Sequence, residues 1–202
     1  MNNNLLTGQL VRLTAMNAET AAEAFARWDL DSEYLRHLDS DPQLPNRAKK
    51  IREDIEKDQN EDPNSIALSV HTLADDRLIG FVAFDGVNWR HGDTFVAIGI
   101  GDPAYRGNGY GTEAMRVMLR YGFLELNLQR VQLNVFSYNE RAIKSYLKVG
   151  FVVDGRQRGM LRRDGQRWDF VYMSVLRAEW VAMNNDQLTM TNERRSVRRI
   201  VE

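Results

Sequence analysis

Apolar residues recur at helical spacing in two segments near the start of the chain. In the first segment, Ala21 and Trp28 follow the possible N-cap Asn17, which predicts a helix over residues 14–28. A second segment is highly charged and carries only a narrow apolar stripe. It predicts a surface helix over residues 47–58.

Beyond these helices the pattern changes to short apolar runs of the kind that form strands. The runs predict strands over residues 66–70, 78–84, 95–100 and 131–136, and a final hairpin over 151–176. The third run is nearly continuous in apolar residues, as expected of a strand that is buried on both faces. Asp164 and Gly165 mark the turn of the final hairpin.

Two amphipathic segments are interleaved with the later strands. They predict helices over residues 112–126 and 140–148, the second closed by Gly150. The resulting order of elements is that of an α+β protein with one central βαβ crossover. Because no repeat or linker interrupts the pattern, we expect one domain over residues 1–180 and a polar, arginine-containing tail over residues 181–202.

Composition excludes several classes of protein. The chain has 202 residues, of which 43% are hydrophobic, and this excludes a disordered chain. The absence of cysteine excludes disulfides, thiolate metal sites and a cysteine nucleophile. The first residues lack the features of a signal peptide, and no run of about 18 apolar residues occurs. We expect a cytoplasmic protein that uses no metal and does not enter a membrane.

The formal net charge of −1 hides an uneven distribution of charge along the chain. Residues 1–101 carry 10 basic and 17 acidic side chains, whereas residues 102–180 carry 13 basic and 8 acidic ones. Either this is scatter between solvated faces, or the first half meets a cationic ligand and the second half an anionic one. A motif is needed to decide between the two interpretations.

A glycine-rich segment joins the third predicted strand to the helix that follows it. Its sequence is Arg106-Gly107-Asn108-Gly109-Tyr110-Gly111, and Thr112 comes next. Glycines let a backbone turn tightly, and free N–H groups at a helix start attract an anion such as pyrophosphate. The segment lacks the lysine of a nucleotide triphosphatase loop and the downstream carboxylate of a dinucleotide-binding fold. We predict another phosphate-bearing ligand, with a ligand-free turn as the alternative.

Two segments resemble the signatures of the GNAT (Gcn5-related) N-acetyltransferases. The run from Arg106 to Gly111 is similar to the (Arg/Gln)-x-x-Gly-x-(Gly/Ala) pyrophosphate loop of that family. Downstream, Asn139, an Ala-Ile pair, Tyr146 and a closing Gly-Phe pair resemble the second signature. The order of predicted elements matches the family over residues 8–180.

The resemblance implies a mixed, mostly antiparallel sheet with a splayed pair of parallel strands at the CoA site and helices on both faces. It also implies that the protein is an acyltransferase, which transfers an acetyl group from acetyl-CoA to a primary amine. Without a cysteine, we expect direct attack in a ternary complex. Within the family, residues 8–13 and the Arg27-Trp28 pair are most similar to the RimJ/RimL-like branch.

The resemblance further implies roles for individual residues. The expected contacts to acetyl-CoA are made by Ile98, Gly99, Ile100 and Asn139 for the pantetheine arm and by Arg106, Gly107, Asn108, Gly109, Tyr110, Gly111 and Thr112 for the pyrophosphate. Tyr146 matches the general acid of the family, which protonates the leaving thiolate. Alternatively, Tyr146 belongs to the apolar face of its helix, together with Ile143 and Leu147.

The base that takes a proton from the attacking amine is not identified by the signatures. Many family members have a Glu on or near the strand before the glycine loop, but residues 95–100 contain no carboxylate. The nearest candidates along the chain are Asp85, His91 and Asp93, and a chain of water molecules is the alternative. The missing carboxylate also leaves open a GNAT-like module that binds acyl-CoA without transferring the acyl group.

We expect the acceptor to be recognised by the first two helices, by residues 88–91 and by the final hairpin. Trp28, Tyr34 and Trp89 are candidates for the wall of an acceptor pocket. Asp29, Asp31 and Glu33 are candidates for attracting an ammonium group, although core packing and surface charge explain both sets equally well. The expected partners are acetyl-CoA and an amine, which could be a protein α-amine, a polyamine, an antibiotic or an amino acid. We expect a monomer or homodimer that binds no nucleic acid.

Overall fold

A single seven-stranded sheet organises the part of the chain that the computed structural model describes, residues 4–42 and 45–185. The strands are β1 (Val11–Ala15), β2 (Ile66–Thr72), β3 (Leu78–Asn88), β4 (Asp93–Ile100), β5 (Arg130–Phe136), β6 (Val152–Arg163) and β7 (Gln166–Leu176). The helices are α1 (Ala18–Trp28), α2 (Ser32–Leu38), α3 (Ala48–Glu61), α4 (Tyr110–Leu124), α5 (Glu140–Lys148) and α6 (residues 177–185). A short 3₁₀ turn, Pro103–Tyr105, precedes the glycine loop.

The strands follow the order β1-β2-β3-β4-β5-β7-β6 across the sheet. Every neighbouring pair is antiparallel except β4 and β5, which are parallel. The connection between these two passes through α4, as parallel neighbours require. This topology confirms the predicted α+β fold with one crossover.

Helices cover both faces of the sheet. Successive residues of a strand point to opposite faces, so the contacts of two neighbouring residues of β4 identify the helix on each face. A side chain added at Gly99 would meet Tyr34 of α2, whereas Ile100, the next residue, lies against Gly111 of α4. On the α4 face, residues such as Met118 and Phe123 are fully buried. The main core therefore lies under α4, and a smaller aromatic cluster lies under α1 and α2.

Two short elements near the N-terminus differ from the sequence prediction. Residues 11–15 form β1, in which Val11 and Leu13 alternate into the core beside β2, so residues 14 and 15 end a strand rather than begin the predicted helix. The helix α1 begins only at Ala18, where Asn17 caps it by accepting a hydrogen bond from the Thr20 N–H at 3.0 Å. The seven-residue helix α2 was not predicted at all.

The prediction that the third run is buried on both faces is wrong. Thr94 and Val96 of β4 are buried, but Phe95 between them is 40% exposed. Since alternate residues of a strand point to opposite faces, only the α4 face of this segment is fully covered.

The last described helix continues through the predicted domain boundary. Trp180 of α6 packs on Phe123 with a ring separation of 5.4 Å, and Met183 lies close to Gly150. The Arg-containing part of the predicted tail, residues 186–202, lies outside the described residues. Among those described, no helix has the length and apolar character needed to cross a membrane.

Candidate active site

The parallel strands β4 and β5 separate before they end, and a cavity lies beside the end of β4. They pair only where Asp93, Thr94 and Phe95 face residues 130–132. Beyond this point, no strand in the described part of the chain pairs with the edge of β4 that faces β5. Residues Ile98, Gly99 and Ile100 line one side of a cavity of about 600 Å³, a volume suited to a small-molecule ligand.

The glycine loop lies at the mouth of this cavity and leads into α4. Gly107 and Gly109 adopt left-handed backbone angles, with φ of 79° and 89°. Gly109 is the N-cap of α4 and has no side chain to bond to the first N–H groups of the helix, unlike the caps Asn17, Asp31 and Asn139. These N–H groups and the helix dipole favour an anion, which fits the predicted pyrophosphate.

The side chain of Arg106 is committed to the protein rather than free to reach a phosphate. It is 13% exposed; its Nε donates to the carbonyl of Ile100 at 2.8 Å, and a terminal nitrogen donates to Asp31 Oδ2 at 2.6 Å. A further hydrogen bond goes to the carbonyl of Gly101, and the guanidinium lies 5.0 Å from the ring centroid of Tyr34. Arg106 therefore links the end of β4 to the start of α2.

Asp31 forms an ion pair with Arg106 and is also the N-cap of α2. Its Oδ1 accepts hydrogen bonds from the N–H groups of Glu33 and Tyr34. Burial raises the pKa of Asp31, but the hydrogen bonds and the charge of Arg106 outweigh this effect and leave the pKa below its usual value of 3.8. Asp31 is thus an ionised partner of Arg106 at neutral pH.

The remaining predicted phosphate contacts differ in their placement. Gly107, Gly109, Gly111 and Thr112 line the cavity. The Thr112 hydroxyl is 2.7 Å from that of Ser145, and this bond joins α4 to α5. Asn108 and Tyr110 do not line the cavity: the Asn108 amide donates to the carbonyl of Ala104, and Tyr110 packs edge-on against Tyr105.

Tyr146 and Asn139 of the second signature both line the cavity. Burial raises the pKa of Tyr146 to about 12, so its hydroxyl keeps its proton at neutral pH. Its ring lies 5.8 Å from that of Phe151, and it packs against the edge of the main core together with Ile143. Asn139 caps α5 through Oδ1, which accepts from the Ala142 N–H, and its amide N–H groups remain to donate to a ligand.

One side of the cavity is formed by α2. Glu33, Tyr34, His37 and Leu38 line it, whereas Trp28 and Trp89 do not. Trp28 is buried against Tyr34, and Trp89 is 53% exposed at the turn after β3. Of the three predicted wall residues, the structure therefore brings only Tyr34 to the cavity.

The three acidic residues predicted to attract an ammonium group differ in their contacts. Asp29 accepts a hydrogen bond from the Asn46 N–H at 3.3 Å, and Asp31 is paired with Arg106. Glu33 faces the cavity and has no ion-pair partner among the described residues. The base candidates Asp85, His91 and Asp93 do not line the cavity, because they lie at the opposite end of β4.

The glycine loop, Tyr146 and the splayed strands coincide with a family match that spans most of the chain. Residues 11–152 match the family model described as acetyltransferase (GNAT) domain. The chain belongs to the GNAT family. It is accordingly an N-acetyltransferase, which transfers an acetyl group from acetyl-CoA to an amine.

Individual relatives agree with the GNAT assignment. The SPbeta prophage-derived uncharacterized N-acetyltransferase YokL of Bacillus subtilis (strain 168) is 30% identical over 151 residues, which cover 75% of this chain and 82% of YokL. Spermidine N(1)-acetyltransferase of Escherichia coli (strain K12) is 35% identical over 80 residues, 40% of this chain and 43% of that protein. The crystal structure of spermidine N-acetyltransferase from Vibrio cholerae in complex with CoA and spermine has a TM-score of 0.74 at 22% identity, and covers 85% of this chain and 98% of that one.

Sequence reasoning missed several residues of this GNAT cavity. On α2 these are His37 and Leu38, and on α5 they are Arg141, Lys144, Ser145 and Lys148. The cations of α5 are spaced three and four residues apart, which places them on one helix face. This spacing could have identified them from the sequence as a group. For α2 the signal was weaker: an N-cap Asp31, with Glu33 in the first turn and His37 in the last.

Proposed function

We propose that this acetyltransferase modifies a primary amine of a small polycationic acceptor, of the polyamine class. The observation that carries the proposal is the position of Glu33, an unpaired carboxylate among the described residues, in the same cavity as Gly99 and Tyr146. A carboxylate at this position attracts one ammonium group of the acceptor while another amine reaches the thioester. The similarity to a spermidine N(1)-acetyltransferase supports this class of acceptor.

In this proposal, acetyl-CoA lies along the free edge of β4. Its pantetheine amides pair with the backbone at Ile98, Gly99 and Ile100, and Asn139 donates a further hydrogen bond. The diphosphate lies at the uncapped start of α4, and Arg141, Lys144 and Lys148 provide positive charge beside it. The acetyl group is then placed between α2 and α5.

The reaction proceeds by direct attack of the neutral amine on the thioester carbonyl carbon. A C–N bond forms, and the C–S bond of the tetrahedral intermediate then breaks. Tyr146 donates a proton to the leaving sulfur, and proton donation of this kind is typically worth about 10²–10⁴-fold in rate. The nitrogen loses its remaining extra proton, so that the amide and free CoA are formed.

A second candidate acceptor is a protein α-amine. It is favoured by the similarity of residues 8–13 and the Arg27-Trp28 pair to the RimJ/RimL-like branch, in which we propose to place the chain. The two candidates differ in what surrounds the reacting amine, since a peptide acceptor carries no fixed second ammonium group.

The decisive experiment is thiol release from acetyl-CoA with a panel of acceptors. Spermidine and spermine are compared with peptides that have free N-termini, amino acids and aminoglycosides. We expect turnover with the polyamines, and we expect Glu33→Gln to raise their KM at least fivefold without changing the KM for acetyl-CoA. Glu125→Gln, at the far end of α4, is the matched control and is expected to change neither value.

Turnover with peptides alone would replace the polyamine class by the protein α-amine. Binding of acetyl-CoA without thiol release across the whole panel would contradict the proposed function and favour a module that only binds acyl-CoA.

A further inference from the structure

The structure contains a candidate for the base that the signatures leave unassigned. We infer that His37 accepts the proton that the acceptor amine must lose before it attacks acetyl-CoA. This inference rests on the proposed function and adds a second proton-transfer group opposite Tyr146.

The position of His37 supports this role. It lies on α2 and lines the cavity that Gly99 and Tyr146 also line. Its Nδ1 is buried and has no hydrogen-bond partner among the described residues, and no hydrogen bond of its Nε2 to a described residue is present either. Buried polar atoms are rarely left without a partner, and the exceptions include groups kept free for chemistry. The ring is held instead by Tyr138, at a centroid separation of 5.4 Å.

The surroundings of His37 keep it neutral at neutral pH. Burial lowers its pKa below the usual value of 6.5, and the positive charges of Arg141 on α5, Arg163 on β6 and Arg106 on the glycine loop lower it further. Glu33, one turn earlier on α2, acts in the opposite direction but does not offset them. A neutral imidazole can accept a proton, whereas an imidazolium cannot.

Other titratable groups along the described cavity wall are less suited to be the base. Lys144 and Lys148 are cations, and the raised pKa of Tyr146 keeps it protonated. Glu140 is paired with Lys144 at 3.3 Å. Glu33 is exposed and, in the proposal above, is neutralised by a second ammonium group of the acceptor.

The proton balance of the reaction is then complete. An ammonium acceptor enters with three protons on the reacting nitrogen. One passes to Nε2 of His37, the ring nitrogen that is not enclosed by the protein, directly or through one water molecule, and is later released to solvent. The second leaves the nitrogen as the tetrahedral intermediate collapses, while Tyr146 protonates the departing sulfur and is itself reprotonated. The third remains on the amide.

The test compares wild type with His37→Gln and with His91→Gln, a histidine outside the cavity. We expect His37→Gln to lower kcat/KM for spermidine at pH 7 by at least tenfold, while the Kd of acetyl-CoA, measured by calorimetry, changes less than twofold. In wild type, kcat/KM falls as the pH decreases through the His37 pKa, below 6.5. In His37→Gln this inflection disappears, and activity recovers as the pH approaches the pKa of the amine itself. His91→Gln keeps the wild-type profile.

A second comparison separates proton transfer from a structural role. A fluorinated spermidine analogue has a less basic amine, so part of it is neutral without a base. We expect the defect of His37→Gln to shrink with this analogue, and external imidazole to restore part of the activity of His37→Ala. An equal defect with both acceptors, or a pH profile unchanged from wild type, would overturn the inference while wild-type activity stands. Wild type without thiol release would overturn the proposed function and this inference together.

Discussion

Of the three tyrosines that line the cavity in the described part of the chain, Tyr34 on α2 and Tyr146 on α5 differ in their surroundings. Tyr34 of α2 lies under Gly99, where an added Cβ would be 2.6 Å from its hydroxyl, and burial raises its pKa strongly. The Arg106 guanidinium lies 5.0 Å from its ring centroid. Tyr146 has no such cation among its pKa determinants, since burial alone raises its pKa to about 12. Tyr34 is therefore a structural contact for β4, and Tyr146 is the phenol available as an acid.

Tyr146→Phe should lower kcat by about 10²-fold, because it removes the proton donor to the leaving thiolate and leaves the ring in place. The Kd of acetyl-CoA should change little. Steady-state kinetics and calorimetry measure the two values.

Tyr172→Phe is the matched control, because the Tyr172 hydroxyl donates to Gln157 and Tyr172 is not among the residues described as lining the cavity. An unchanged kcat for Tyr146→Phe would leave the phenol with only its packing role beside Ile143.

Several predicted site residues that line the cavity lie in the two segments that resemble the family signatures. Gly109, Asn139 and Tyr146 were predicted through that resemblance, because each lies within a few residues of other positions of the same signature. His37 has no such context, because it joins the cavity through tertiary contacts of α2. The wrong base candidates were chosen by proximity to β4 along the chain. The eight residues of this strand span roughly 25 Å, and Asp93 is its first residue. Asp93 therefore lies at the end of β4 that is far from the cavity.

The helix α2 depends on its neighbours for its conformation. Seven residues are too few for a stable isolated helix. Arg106 holds its start through Asp31, and Arg163 of the final hairpin holds its end through hydrogen bonds to the carbonyls of Arg36 and Asp39. The side of the cavity that the proposed function assigns to the acceptor is thus built on a helix that two arginines, distant from it in the sequence, keep in place.

Substitutions of Asp31 should separate the cap from the ion pair. Asp31→Asn keeps a good N-cap but removes the charge opposite Arg106, so we expect a several-fold higher KM for the amine. Asp31→Ala also removes the cap and should lower the free energy of unfolding by about a further 1 kcal/mol. Because the pKa of Asp31 is lowered on folding, its stabilisation is fully present above pH 3.8 and is lost as the pH falls through the folded-state pKa. Urea unfolding at several pH values measures this contribution.

Asn17→Ala is the control for Asp31→Ala, because it removes the cap of α1 without touching Arg106. It should cost similar stability and leave the KM for the amine unchanged. Equal KM values for Asp31→Asn and wild type would show that the ion pair does not position α2.

Elements with long periodic patterns were predicted well, and short ones were not. The helices α4 and α5 occur within two residues of their predicted bounds. The strand β1 was not predicted, and its last two residues were assigned to the following helix, because five residues are too few to show a clear alternation. The two faces of β4 could not be told apart either, because the exposure of Phe95 depends on what lies above it in the folded protein.

The fold places the acidic and the basic half of the sequence on different sides of the cavity. The cavity lies between α2, which comes from the acidic half, and α4 and α5, which come from the basic half. In the proposed function, the anionic co-substrate and the cationic acceptor approach different sides of this opening. Scatter between solvated faces no longer has to be assumed.

This arrangement predicts that salt weakens both substrates. The screening length falls from about 10 Å at 0.1 M salt to about 3 Å at 1 M. We expect the KM values for spermidine and acetyl-CoA to rise severalfold over this range, with a smaller change in kcat, since the reacting groups are inside the cavity. Sucrose, which carries no charge, is the control for solvent effects. KM values that do not respond to salt would contradict a role for the charge asymmetry.

The start of α4, which has no side-chain N-cap, also affects how ligand binding changes the stability of the protein. A glycine N-cap costs a helix only about a few tenths of a kcal/mol relative to Ser, Asn or Asp, and a diphosphate bound to the first N–H groups would offset this cost. The bound co-substrate would then act as the N-cap of α4, and this cap would be lost when the co-substrate dissociates. At a ligand concentration of about 100 times Kd, binding adds about 2.7 kcal/mol to the free energy of unfolding. The lifetime of the folded enzyme in a cell would thus follow the supply of its acetyl donor, so that a shortage of the donor reduces the amount of enzyme as well as its rate.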